Sequence, residues 1–225
     1  MSSDKLVLFD LPSKDPCAAW SLNPWKKYPD IRLKIKPNVP SNESGVAHTI
    51  PTVRFPDGTW MMDSAKIAPV LEELQPQPSL HLDSPYLSRV TAIFGDIFSR
   101  IRPNFYAKIP VNLLNDVALD FWYTTRRERL GMSVEEFEAK YGGEPSYAAA
   151  EPFLQQMTAL LKENGGPFFL GKEASYADFV WVSGLVFMKR IDEAILNEVL
   201  RRTGDASVHE ALLDACAPWL KRNDH

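Results

Sequence analysis

The chain has 225 residues and a formal net charge of −4; it is 45% hydrophobic and 24% charged. That composition supplies a sizeable core and excludes global disorder. Acidic and basic residues are interspersed, so the basic stripe that binds nucleic acid is missing. The densest basic run, Arg126-Arg127-Glu128-Arg129, reads as a solvated helix face with an internal salt bridge. The two cysteines, Cys17 and Cys216, follow no metal or disulfide spacing, which points to a reducing, cytoplasmic compartment and to no bound metal. The first apolar run is too short for a signal peptide, and no stretch reaches the ~18 apolar residues of a membrane helix.

Leu6 to Phe9 reads as a buried strand, followed by a turn-rich loop from Asp10 to Pro16 and a short helix within Ala18 to Lys27. Ile31, Leu33 and Ile35 alternate with Arg32, Lys34 and Lys36, the pattern of a half-buried strand. Thr49 to Phe55 and Trp60 to Met62 are predicted strands joined by the hairpin signal Phe55-Pro56-Asp57-Gly58-Thr59. Asp63-Ser64 then opens a helix with Ile67, Val70, Leu71 and Leu74 on one face. Gln75 to Pro85, with three prolines, reads as a linker. Beyond it the periodicity is helical: Leu87 to Ile101, then roughly 111–129, 133–140, 147–164, 176–188, 191–202 and 207–214. The expected organisation is a small mixed α/β domain over 1–77 and an all-helical domain over 86–225. Many functions are compatible with that arrangement.

The segments Thr49-Ile50-Pro51-Thr52-Val53 and Met62-Asp63-Ser64-Ala65-Lys66-Ile67-Ala68, with a hairpin between them, resemble the second half of a glutathione transferase N-terminal domain. The resemblance implies a thioredoxin-like fold in which the proline entering this strand, here Pro51, is cis. Its predecessor, Ile50, would then offer its backbone N–H and C=O to an extended peptide such as glutathione. At the other end, the start of the helix favours a carboxylate. Ser64 would donate to the γ-glutamyl carboxylate and Asp63 would accept from the α-ammonium group. Capping of the helix is the competing role for both residues. Pro167-Phe168-Phe169-Leu170-Gly171 and Ser175-Tyr176-Ala177-Asp178-Phe179 are similar to the family's buried capping-box region, a structural feature. A narrower likeness is to the fungal etherase-like, or FuA-type, class. It rests on Asp10-Leu11-Pro12-Ser13, Trp20-Ser21-Leu22-Asn23-Pro24-Trp25-Lys26, Pro78-Ser79-Leu80-His81-Leu82 and Trp122-Tyr123-Thr124-Thr125-Arg126-Arg127-Glu128.

The resemblance implies a hydroxyl or thiol donor at the first helix that lowers the pKa of the glutathione thiol, since the thiolate is the nucleophile. Ser21 matches that position, and Asn23 is a second donor. Cys17 lacks the Cys-Pro-aromatic context of the cysteine-using classes and reads as an inert loop thiol; His48 reads as a surface histidine. The chain departs from the family in one place. A strand-helix-strand crossover needs about 30 residues, yet Asp10 to Arg32 supplies 23. A block between Lys26 and Tyr28 is missing relative to the family pattern.

The reading is a cytoplasmic, homodimeric glutathione transferase. It would direct the glutathione thiol at a hydrophobic electrophile or aryl ether, with Phe94, Phe98, Tyr106 and Tyr123 as aromatic walls of the electrophile pocket. The alternatives are a non-catalytic protein of the same fold that binds glutathione or a hydrophobic ligand, and a disulfide reductase working through Cys17.

Overall fold

The computed structural model describes residues 6–9, 14 and 51–220. Ser21, Asn23, Ile50, Cys17, His48, the Ile31 to Ile35 run and the shortened crossover lie outside the described residues. The described residues divide into two compact units, one formed by 6–9, 14, 51–79 and 115–118, the other by 80–114 and 119–220.

The first unit contains a three-stranded antiparallel sheet in which β2 (Thr52–Arg54) lies between β1 (Val7–Phe9) and β3 (Trp60–Met62). Val7 pairs with Arg54 and Phe9 with Thr52; on the other side Thr52 pairs with Met62 and Arg54 with Trp60. The β2–β3 turn is closed by Phe55 N–H donating to the Thr59 carbonyl at 2.9 Å and Gly58 N–H donating to the Phe55 carbonyl at 3.0 Å. Asp57 accepts from both the amide and the hydroxyl of Thr59, which holds its carboxyl below the usual range. Gly58 takes a φ of 87°, a conformation open to glycine at no steric cost. Helix α1 (Ser64–Leu74) follows, and its Ile67 joins Val53 and Phe55 in a small core to which Met61, Val70 and Leu71 add. Leu74, expected on that face, is exposed, because the chain leaves the helix one residue later. Leu6, expected in a buried strand, is also exposed and precedes β1.

The second unit is helical. Its elements are α2 (Pro85–Ile101), α3 (Lys108–Asn112), α4 (Asp116–Leu130, beyond its first turn), α5 (Val134–Tyr141), α6 (Glu144–Lys162), α7 (Tyr176–Ile191), α8 (Glu193–Arg202) and α9 (Ala206–Leu220). The predicted helix over 111–129 is therefore two helices, separated at Leu113 to Asn115. α2 packs on α6 and α7 through stripes at helical spacing: Val90, Ile97 and Ile101; Leu154, Met157 and Leu161; Trp181, Leu185 and Met188. Local signals start these helices. Ser84 caps α2 ahead of Pro85, Ser133 and Glu136 form a capping box on α5, and Asp192 caps α8 through the Ala194 amide.

Two polar clusters tie the helices together. Trp181 Nε1 donates to His209 Nδ1 at 2.9 Å, and His209 Nε2 lies 2.8 Å from Thr158 Oγ1, which reaches the Thr203 carbonyl at 2.8 Å. Arg202 is 5% exposed and is held by Glu144, Glu151 and Glu198.

Candidate functional site

The hairpin register builds the site's geometry. Thr52 stands opposite Met62 in the last antiparallel pair of the register, so Pro51 and Asp63, twelve residues apart in sequence, flank that pair at the same end of the sheet. Asp63 has a φ of 82°, uncommon outside glycine and best tolerated by Asn and Asp. That backbone turns the chain from β3 into α1. The Asp63 carboxylate accepts from the Ala65 amide at 3.0 Å, while its carbonyl accepts from Lys66 and Ile67 at 3.0 and 2.9 Å. Asp63 thus caps the helix with one carboxylate oxygen and keeps lone pairs on the other. Ser64, the first helical residue, is exposed, and its hydroxyl bonds to nothing among the described residues. Its amide is one of the N–H groups that a helix start leaves without an intrahelical acceptor.

Of the residues the sequence singled out for glutathione, the structure brings Pro51, Asp63 and Ser64 to one end of the hairpin. Ser21, Asn23 and Ile50 are among the residues not described. Among the described residues, no cluster of His, Cys, Asp or Glu could hold a metal ion, and no helix is long and apolar enough to cross a membrane.

In the helical unit, three of the four expected wall residues join one aromatic chain. Phe94 meets Phe98 at 4.7 Å between ring centroids, Phe98 meets Phe105 at 5.3 Å, and Phe105 meets Tyr106 at 5.5 Å. Tyr106 continues to Trp122 at 5.8 Å and Phe137 at 6.0 Å. Tyr123 is exposed and stands outside this chain.

The same region overturns one expectation. Arg126 is not on a solvated face; it is 4% exposed, with its guanidinium 3.9 Å from the centroid of the Trp122 ring. It donates to Thr125 Oγ1 at 3.0 Å and, among the described residues, pairs with no carboxylate. Trp122 Nε1 is also buried without an acceptor there. Burial pulls the Arg126 pKa down to about 10. Stacking on an indole contributes about 2 kcal/mol in a desolvated setting, whereas burying a charge costs several kcal/mol. The stack alone does not offset the burial. The four-residue spacing of Trp122 and Arg126, which sets an aromatic ring one turn below a guanidinium, is the sequence signal for this packing.

The family model for the glutathione S-transferase C-terminal domain matches residues 90–219, more than half of the chain. The chain belongs to the glutathione S-transferase superfamily. A glutathione S-transferase-like protein, ustS, of Aspergillus flavus is 24% identical to this chain over an alignment of 212 residues that covers 86% of this chain and 76% of the relative. Among solved structures, glutathione transferase FuA2 of Phanerochaete chrysosporium has a TM-score of 0.74 at 24% identity, covering 99% of this chain and all of the other. A glutathione S-transferase of Ceriporiopsis subvermispora, solved in complex with glutathione, has a TM-score of 0.71 at 20% identity, covering 95% and 98% of the two chains. The thioredoxin-like and helical halves expected from the sequence are the fold of this superfamily.

The expected capping box is present. Asp178 accepts from the amides of Phe169 and Ser175 at 2.8 and 2.7 Å and from the Ser175 hydroxyl at 2.7 Å. Burial nevertheless raises its carboxyl above the ordinary aspartate value. The cluster fixes the start of α7, the most enclosed helix of the unit, and has a structural role.

Proposed function

We propose that this protein is a glutathione transferase whose cradle is Ile50-Pro51 and Asp63-Ser64, with Ser21, assisted by Asn23, as the thiol activator. The observation that supports the proposal is the hairpin register, whose last pair, Thr52 with Met62, has Pro51 and Asp63-Ser64 as its chain neighbours at one end of the sheet in a chain of this superfamily. Ile50 pairs its backbone with the extended tripeptide. Ser64 donates its hydroxyl and amide to the γ-glutamyl carboxylate at the positive end of α1. Asp63 accepts from the α-ammonium group with the oxygen that capping leaves open. The Ser21 hydroxyl donates to the sulfur and favours the thiolate, whose proton passes to solvent. Ser21 thereby sets up attack on an electrophilic carbon: the carbon–sulfur bond forms as the bond to the leaving oxygen or halogen breaks, and the leaving group departs as the anion. For an aryl ether that anion is a phenolate. The protein works as a cytoplasmic homodimer on a small hydrophobic electrophile.

Isothermal titration of the full chain with glutathione tests the cradle, and conjugation assays on wild type and Ser21→Ala test the activation. Saturable binding with turnover that drops at least about tenfold in Ser21→Ala is the expected result. Binding with no turnover on several electrophiles would favour the non-catalytic reading, which the 23-residue span from Asp10 to Arg32 motivates. Absence of glutathione binding would remove both. Loss of thiol–disulfide exchange in Cys17→Ala would instead support the reductase reading.

A further inference from the structure

We propose that Trp122 and Arg126 form a site, within the helical unit, for the carboxylate of an aromatic acid. The proposal does not rest on the reading of the glutathione cradle. Its donor set is the first argument. Arg126 carries five N–H donors and uses one described acceptor, the Thr125 hydroxyl. That hydroxyl sends its own proton to the Phe121 carbonyl at 2.7 Å, so it is a committed neighbour. One helical turn earlier, Trp122 Nε1 is a buried donor with no acceptor among the described residues. A cluster made only of donors and carrying a positive charge selects an anion. The planar fork of a guanidinium matches a carboxylate with two parallel bonds.

The second argument is internal to the fold. Arg202 is buried to the same degree as Arg126, at 5% against 4% exposed, and three glutamates surround it. Where this protein buries an arginine for structure, it supplies the counter-charge from its own chain. At Arg126 the described residues supply none, and its like-charged neighbour Arg129 adds to the positive field. An external carboxylate completes the pair.

The walls choose the rest of the ligand. The Trp122 ring lies under Arg126, Tyr106 meets Trp122 edge-on at 5.8 Å, and Phe137 follows Tyr106 at 6.0 Å. Aromatic rings packed beside a single buried cation fit an aromatic body bearing one acid group.

The test is titration of the full chain with 1-naphthoate, its neutral counterpart 1-naphthamide, glutathione and inorganic phosphate, followed by calorimetry and tryptophan fluorescence. Wild type is expected to bind naphthoate at least about tenfold more tightly than the amide. Arg126→Met should weaken naphthoate by about tenfold or more and leave the amide within about twofold. Arg126→Lys, which keeps the charge and loses the fork, should fall between them. Trp122→Phe keeps a ring and loses the donor, and should weaken naphthoate by about threefold to tenfold. Naphthoate should also raise the melting temperature of wild type and not that of Arg126→Met, a comparison that also reports whether the variant is folded. Equal binding of acid and amide, undiminished naphthoate affinity in Arg126→Met, or no naphthoate binding would overturn the proposal. Phosphate binding as tight as naphthoate reassigns the site to bare oxyanions and also overturns it. Glutathione binding that depends on Arg126 and competes with naphthoate would identify glutathione as the carboxylate source and overturn the aromatic acid. Glutathione binding that is merely absent touches the cradle and leaves this site standing.

Discussion

Trp181 donates its indole N–H to Nδ1 of His209 across 2.9 Å, and that one bond fixes the state of the imidazole. An indole can only donate, so Nδ1 accepts and the ring proton resides on Nε2. Nε2–H then donates to Thr158 Oγ1, whose own proton goes to the Thr203 carbonyl. A second ring proton would meet the indole donor head-on. Burial, the main cause, accordingly depresses the His209 pKa to about 4 from 6.5.

Acid sensitivity follows from that depression. Above about pH 6.5 the imidazole is neutral in folded and unfolded chains, and the group is indifferent to pH. Between about pH 6.5 and 4 the unfolded chain takes up a proton that the folded one refuses, so stability falls with pH by roughly 3 kcal/mol in total. Urea unfolding at a series of pH values should show that slope in wild type, and it should be largely absent in His209→Gln. A slope of equal size in the variant would show that other groups set the acid limit.

The Asp178 cluster should be among the most sensitive positions in the helical unit. Asp178→Ala leaves the Phe169 and Ser175 amides buried without an acceptor, an expected loss of about 3–5 kcal/mol by denaturant unfolding. Asp178→Asn keeps one acceptor oxygen and should lose less than half of that.

Gly166 approaches the opposing backbone more closely than any side chain permits. A Cβ there would lie 2.1 Å from the Gly171 carbonyl oxygen, a backbone atom that has no rotamer to yield. Gly166→Ala should destabilise by about 1–3 kcal/mol or more, read as a lowered melting temperature.

Variants at the start of α1 separate capping from ligand recognition. Asp63→Asn keeps a cap and tolerates the 82° φ, so its stability should stay within about 0.5 kcal/mol of wild type. Its loss of charge should weaken glutathione by about tenfold in calorimetry. Asp63→Ala should lose about 1 kcal/mol from the cap alone. Ser64→Ala should weaken glutathione by a similar factor with no change in melting temperature.

Local signals made much of this fold readable. The Pro56-Asp57-Gly58 turn, the helix start at Asp63-Ser64 and the Ser175–Asp178 box each depend on residues within a few positions of one another. The break between α3 and α4 was not readable, because Val111, Leu113 and Leu114 continue the apolar run through it. In the structure Leu113 and Leu114 are buried and Val111 is exposed. Arg126 was misread for a related reason. Its charged neighbours Arg127, Glu128 and Arg129 are exposed, and the partner that matters, Trp122, lies a turn back. The relation of Pro51 to Asp63 is legible in the sequence only as a spacing; the Thr52–Met62 pair shows that both lie at the same end of the sheet.

The turn from Phe55 to Thr59 is closed by its own residues, through Gly58, Asp57 and Thr59. The pairing of Thr52 with Met62 that flanks Pro51 and Asp63 therefore travels as a self-contained cassette of neighbouring residues. On the proposed function, changes upstream of Ile50 would rewrite what is done to a ligand's sulfur while the hairpin that grips its carboxylate end keeps its shape. Holding and reacting would then be physically separable inheritances.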